Sequence, residues 1–268
     1  MLPQAPGPHR DAPPREDRPA KRYVPVQEAS DAQRVEMVKD IFSTVTGRYD
    51  FLNHFLSMRR DIAWRRFAVR KMSFGRTWRF LDVATGTADL AIGAALRYPR
   101  VTVEGIDFST EMLAAGRLKV ERKGLPDRVR LMRADALALP FADGSFDVAA
   151  VAFGIRNIPD KVGALREMAR VVVPGGQVMV LEMAFTRNWF SELLYRSYLN
   201  RLLPRIASRF SINPGAYYYL ADSIMTFPSP ERFSEMMRET GMAAVERHKL
   251  TFGATYLYVG ITAGVAGA

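Results

Sequence analysis

The stretch Arg79–Leu90, RFLDVATGTADL, constrains this chain more than any other. Arg79 to Val83 reads as a buried strand, a short apolar run with the acid Asp82 near its end. Ala84 to Ala88 are all small, and Leu90, Ala91, Ala94 and Ala95 then recur at helical spacing. A strand, a tight turn of small residues and a helix bring backbone N–H groups and a helix N-terminus to one point. That geometry accepts a nucleotide-like ligand. An ordinary strand-to-helix turn has the same outline, so the rest of the chain has to decide.

The same rhythm continues downstream. The spacing predicts a first strand over Trp78–Val83 with a helix over Asp89–Tyr98, and a second strand over Val101–Ile106 ending in Asp107. Ser109 caps a helix running to about Arg122. A third strand follows at Val129–Met132, a fourth at Phe146–Phe153, and a helix at Lys161–Val172. Pro174-Gly175-Gly176 turns into a fifth strand, Gln177–Glu182. Such alternation builds a parallel sheet wrapped by helices on both faces. Phe185–Pro228 breaks the rhythm and is rich in aromatics, Tyr217, Tyr218 and Tyr219 among them. It reads as an inserted helical lid, or else as a peripheral helix packed on the sheet. A helix over Pro230–Thr240, stopped by Gly241, precedes two closing strands, Ala243–Lys249 and Ala254–Ile261, expected as an antiparallel pair.

The expected fold is therefore α/β and Rossmann-like, with a seven-stranded, mostly parallel sheet. Residues 1–26, rich in Pro, Arg and Asp, read as a disordered tail. Residues 27–77 form a helical cap, 78–262 the ligand-binding core with its lid insertion at 185–228, and 263–268 a tail.

Composition narrows the chemistry. The absence of Cys excludes disulfides, thiolate metal sites and a Cys nucleophile. His9, His54 and His248 are scattered without ligand spacing, so no metal is expected. The net charge of +10 asks for an anionic partner or a solvated basic surface. Much of the excess lies in Arg59, Arg60, Arg65, Arg66, Arg70, Lys71, Arg76 and Arg79, against Asp61 alone. Interleaved with Ile62, Trp64, Phe67, Val69 and Met72, they fit an amphipathic helix lying on an anionic membrane surface. The longest apolar run, Val148–Ile155, is strand length and crosses no bilayer. The N-terminus lacks the apolar region of a signal peptide. The expected location is the cytoplasm, with peripheral contact at the inner membrane surface.

The first turn itself discriminates between ligands. A dinucleotide site wants G-x-G-x-x-G, and the chain offers Ala84, Gly86 and Asp89 at those positions. Asp82 and Asp89 would also repel a pyrophosphate. The sulfonium and ammonium groups of S-adenosylmethionine suit these carboxylates far better. Small residues from Ala84 to Ala88, with Gly86 and Thr87 central, let the backbone approach the methionine part. Asp107, closing the second strand, is placed to accept both ribose hydroxyls. Phe108 packs on adenine or joins the core. Asp135 and Ala136 follow the third strand, where a side chain reaches the adenine amino group, though Asp135 equally suits a turn cap. Ala152 ends the fourth strand at the same edge. Tyr49, Asp50, Asn53, His54 and Ser57 either line a pocket or serve as caps and turns.

Here the chain resembles known proteins. DVATGTAD, then GIDFS with Met112 and Leu113, then ADALALPFADGSFD are similar to the successive motifs of class I S-adenosylmethionine-dependent methyltransferases. Tyr49-Asp50-x-Leu52-Asn53-x-x-Leu56-Ser57 with Trp64, Phe153-Gly154-Ile155-Arg156-Asn157, Arg170–Gly176, Leu181-Glu182 and Tyr219-Leu220-x-Asp222-Ser223-Ile224 resemble the quinone C-methyltransferases of the UbiE/MenG/COQ5 type. The likeness runs from about residue 27 to about residue 260. It departs at Asp61 and Tyr258, where the family usually has His, at Val173, where it has a basic residue, and at Ala88, where it has Gly.

The resemblance implies methylation of a ring carbon of a polyprenylated quinol, the precursor of menaquinone or of ubiquinone, with S-adenosylmethionine as donor. It places Arg156 and Asn157 at the ring hydroxyl, Arg156 as the cation that steadies the quinolate. A water or Asp50 takes the proton, and Tyr49, Asn53, Asp222 and Tyr219 assist or bind the acceptor. A homodimer or a biosynthetic complex is the implied assembly. Two alternatives stay open: another lipid or small aromatic acceptor, and a non-catalytic member of such a complex. Nucleic acid is not an expected partner, because FGIRN stands where a base-binding tetrapeptide would follow the fourth strand.

Overall fold

In the computed structural model, which describes residues 30, 57, 59–184, 219 and 222–264, seven strands run in the order β3-β2-β1-β4-β5-β7-β6. They are β1 Arg79–Val83, β2 Thr102–Asp107, β3 Val129–Arg133, β4 Phe146–Ala152, β5 Val172–Glu182, β6 Met242–Leu250 and β7 Thr255–Thr262. The centre of the sheet, β1, β4, β5 and β7, is built from strands buried on both faces, while the edge strands β3 and β6 are largely exposed. The first five are parallel, and β7 enters antiparallel between β5 and β6. The helices are α1 Arg60–Lys71, α2 Asp89–Arg97, α3 Thr110–Arg122, α4 Lys161–Val171 and α5 Pro230–Glu239.

Two apolar layers hold the sheet. On one face Trp64, Ala68 and Val69 of α1 and Leu90, Ala91, Ala94 and Ala95 of α2 pack with Phe80, Val103, Val148 and Met179. On the other, Leu165 and Met168 of α4 and Phe233 and Met237 of α5 pack with Leu81, Val151, Val180 and Tyr258. The alternation of faces along each strand places Phe80 in one layer and Leu81 in the other.

Most boundaries fall within a residue or so of the sequence expectation, and three of the differences have a clear local reason. Trp78 has φ 55, so β1 starts one residue later, at Arg79. Phe153 has φ 60, so β4 ends at Ala152 and the chain turns there. Pro174-Gly175-Gly176 does not precede β5 but bulges within it. Phe146 pairs with Val172 and Val148 with Gln177, so residues 173 to 176 oppose Asp147 alone. Gly175 takes φ 78, and a Cβ on Gly176 would lie 2.6 Å from the Asp147 carbonyl oxygen.

The order reverses between β1 and β4, whose carboxyl ends therefore diverge around a crevice. The helical cap and lid expected over 27–77 and 185–228, and the tails, fall mostly outside the described residues.

Candidate active site

The turn after β1 is held in a conformation that L-residues resist. Ala84 has φ 51, Gly86 φ 56 and Ala88 φ 67. Each left-handed Ala costs about 1–2 kcal/mol. Asp82 is the organiser. Its carboxylate, 1% exposed, accepts from Thr85 Oγ1 at 2.6 Å and from the Ala91 amide at 3.0 Å, both on Oδ2. Burial pushes Asp82 up to about 7, against the pull of the Thr85 and Ala91 bonds and of Arg65.

Asp107 ties the turn to β2. Its Oδ2 accepts from the Gly86 amide at 2.8 Å and its Oδ1 from the Ser109 amide at 3.0 Å. Burial raises its pKa above the ordinary carboxylate value. Ser109 caps α3 as expected, accepting from the Met112 amide at 3.2 Å. Gly116 on α3 lets that helix seat on the turn, since a Cβ there would lie 3.3 Å from the Thr87 carbonyl carbon. Lys119, on α3, donates to Thr87 Oγ1 at 3.0 Å and pairs with Asp89.

These groups surround a cavity of about 580 Å³ over the crevice. All eight residues expected at a cofactor lie on its wall: Asp82, Gly86, Thr87, Asp107, Phe108, Asp135, Ala136 and Ala152. Asp135 also acts as a turn cap, accepting from the Leu137 amide at 2.9 Å. Apolar wall is supplied by Met112 of the second motif and by Ile106 and Ile158, to which the sequence reading gave no site role.

At the β4 end the structure separates two residues expected to act together. Asn157 is on the cavity wall, in the short 3₁₀ turn Ile155–Asn157, and accepts from the Tyr219 hydroxyl at 3.0 Å. Arg156 points away. Its guanidinium, 6% exposed, pairs with the fully buried Glu182 at the end of β5, and it is not a wall residue. Arg156, expected at the acceptor, has Glu182 as its partner here, and both charges are buried. Glu182 also accepts from the Met183 amide at 2.9 Å. Asp222 is half-buried and not on the wall. Tyr49, Asp50 and Asn53 lie outside the described residues.

One charged wall residue was assigned elsewhere. Arg65 was counted with the surface basic stripe, yet its guanidinium lies over the Phe153 ring, 5.1 Å from the centroid, and lines the cavity. The available signal was Asp61, four residues earlier on the same helix face. Tyr258, singled out as a departure, is a core residue with no exposure, its ring 4.8 Å from Phe233.

The sequence profile of the ubiE/COQ5 methyltransferase family matches residues 27–262. The chain belongs to that family. A ubiquinone/menaquinone biosynthesis C-methyltransferase UbiE of Geotalea daltonii is 42% identical over 229 residues, covering 85% of this chain and 97% of that one. A demethylmenaquinone methyltransferase of Thermus thermophilus is 45% identical over 220 residues, covering 82% and 99%. Among solved structures, a complex of the Haloferax volcanii Trm112 methyltransferase activator with a putative methyltransferase matches with a TM-score of 0.63 at 19% identity, covering 86% of this chain and 100% of that chain. That likeness shows the fold.

The cofactor of this ubiE/COQ5 family member is S-adenosylmethionine, and the wall fits it. Asp107 at the end of β2 would take the ribose hydroxyls, with adenine toward Asp135 and Ala136. The turn from Ala84 to Thr87 would cradle the methionine part. Gly154 keeps the β4 turn close to it: a Cβ there would lie 2.7 Å from that of Ala84. Bound there, the cofactor supplies an electrophilic methyl group.

Proposed function

We propose that this chain transfers that methyl group to a ring carbon of a polyprenylated quinol. The observation that carries the proposal is the Asn157–Tyr219 pair at the β4 end of the cavity. A cofactor site alone needs neither residue. Asn157 Oδ1 accepts a hydrogen bond from the Tyr219 hydroxyl, which leaves the amide NH₂ of this wall residue as its donor. Aimed at a ring oxygen, it would stabilise the negative charge left when water takes the hydroxyl proton; the neighbouring carbon then takes the methyl group as its bond to sulfur breaks, S-adenosylhomocysteine leaves, and the ring proton passes to water. The buried Arg156–Glu182 pair holds the turn that carries Asn157 and is a positioning element. The names of relatives at 42% and 45% identity support the acceptor class.

The acceptor's isoprenoid tail is insoluble, so the reaction takes place beside a bilayer. Among the described residues no helix is long and apolar enough to cross one. Arg59, Arg60, Arg66, Arg70 and Lys71 are exposed on or beside α1. Phe252, 98% exposed, stands at the β6–β7 turn. Together they offer a basic surface with an apolar tip for an anionic membrane.

The test is methyl transfer from labelled cofactor, under reducing anaerobic conditions with lipid vesicles, to a demethylated naphthoquinol and a demethylated benzoquinol in parallel. Label is expected in at least one ring. Asn157→Ala is expected to lower kcat by about 10²–10³ while cofactor affinity holds. Cofactor binding with neither ring labelled overturns the acceptor assignment.

A further inference from the structure

We propose that Arg65 binds the methionine α-carboxylate of the cofactor, and that Asp61 positions Arg65 for it. The proposal rests on the cofactor alone and is independent of which acceptor is methylated.

The cofactor carries one negative group, that carboxylate. The cavity wall carries two cations among the described residues, Arg65 and Arg133. Position assigns them. Asp107 on β2 would take the ribose, and Asp135, beyond β3, would face the adenine side; both line the cavity. Arg133 ends β3, and its Nε donates to the Phe108 carbonyl oxygen at 3.2 Å, so it belongs to the adenine side. The methionine part extends the other way, across β1 toward β4. There Arg65 stands, over Phe153 and within electrostatic reach of Asp82.

Arg65 is built into place. Trp64, beside it on α1, is 6% exposed and donates from Nε1 to Thr251 Oγ1 at 2.8 Å, which pins this part of the helix. The Asp61 side chain is 4% exposed and that of Arg65 14%. Arg65 donates to Asp61 Oδ2 at 2.6 Å, while Asp61 Oδ1 accepts from Ser57 Oγ at 2.7 Å. One edge of the guanidinium is thus held by Asp61 and one face by the Phe153 ring. The fork has five donors, and a second carboxylate fits it in a planar, bidentate way that an ammonium cannot copy. Phe153 holds its ring there through the left-handed φ of 60 that ends β4. The residue that turns the chain away from the strand therefore also shelves the cation.

The experiment is a cycle of calorimetric titrations on the full chain without acceptor. S-adenosylmethionine is compared with decarboxylated S-adenosylmethionine, which lacks only the carboxylate. Loss of that group is expected to weaken binding to the unaltered protein about 10- to 100-fold. In Arg65→Gln the two ligands should differ by no more than about threefold, with Arg65→Lys between. Asp61→Asn should shrink the difference in the same direction, which a general loosening of the fold would not do. Thermal melts identify any variant that fails to fold. If Arg65→Gln fails, the unaltered protein and Arg65→Lys still decide. Equal affinity of the two ligands for the unaltered protein overturns the proposal. So does an undiminished difference in Arg65→Gln, or in Arg65→Lys if that is the variant available. A raised KM for the acceptor with the carboxylate effect intact would move Arg65 to the acceptor side and also overturn it.

Discussion

Asp82 ties the stability of the turn to the charge of its ligand. Burial pushes its carboxyl from 3.8 up to about 7, so between those values the folded chain holds a proton that the unfolded chain has released. Its contribution to folding is fully present below about pH 4 and is lost as the pH rises through about 7. At neutral pH the turn therefore carries a half-ionised acid in an apolar setting. A ligand with two cationic centres and one anionic centre reverses this, because it favours the ionised form. Cofactor binding at pH 6.5 should release a substantial fraction of a proton, read as a dependence of binding enthalpy on buffer ionisation enthalpy. Affinity should rise between pH 6 and pH 8. Asp107, raised in the same direction by burial, adds to the effect with the same sign. Buffer-independent enthalpy with a flat affinity over that range would show that Asp82 does not change its ionisation on binding.

At the scale of elements, another acid governs how the sheet is entered. Asp147, 3% exposed on β4, accepts from the amides of Arg76 at 3.0 Å, Thr77 at 3.0 Å and Trp78 at 2.7 Å. It thereby clamps the link between α1 and β1 and holds Trp78 in its left-handed turn. Asp147→Ala removes the shared acceptor of these part-buried amides and should destabilise the fold by about 1–3 kcal/mol, seen in the denaturant midpoint. Nothing in the sequence marked this role, since one Asp beside an apolar run reads as the start of a strand. The alternation of strands and helices was legible because burial on both faces makes the central strands, such as β4, near-continuous apolar runs. The acids and small residues at strand ends were legible for the same reason: strand ends were easy to locate. The Pro-Gly-Gly bulge was not, because its composition is that of a turn and only pairing with Asp147 shows it to lie inside a strand. The fates of Arg156 and Arg65 were illegible for a different reason. An arginine's partner is set by tertiary proximity, and Glu182 is 26 residues from Arg156. Only Asp61, one helical turn before Arg65, left a local trace.

Over the whole molecule, the basic stripe divides into two settings. Arg65 turns inward to the cavity, whereas Arg59, Arg60, Arg66, Arg70 and Lys71 remain exposed. The Trp64–Thr251 bond joins α1 to the turn that carries Phe252, so the apolar tip and the basic residues belong to one end of the molecule, beside the β4 side of the cavity. An acceptor drawn from a membrane would then enter near the methyl group without leaving lipid. Each basic residue near an anionic surface contributes about 1 kcal/mol. Replacing Arg66, Arg70 and Lys71 by Gln should therefore weaken binding to phosphatidylglycerol-containing vesicles by about 100-fold, with cofactor affinity unchanged because none of the three lines the cavity. Phe252→Ser should weaken binding to the same vesicles and also to neutral ones, since its contribution is burial of apolar area. Co-sedimentation with vesicles of graded anionic content reads both. Binding that ignores anionic content, or that survives the triple replacement, would assign these cations to solvent and leave the acceptor's route to be sought elsewhere on the surface.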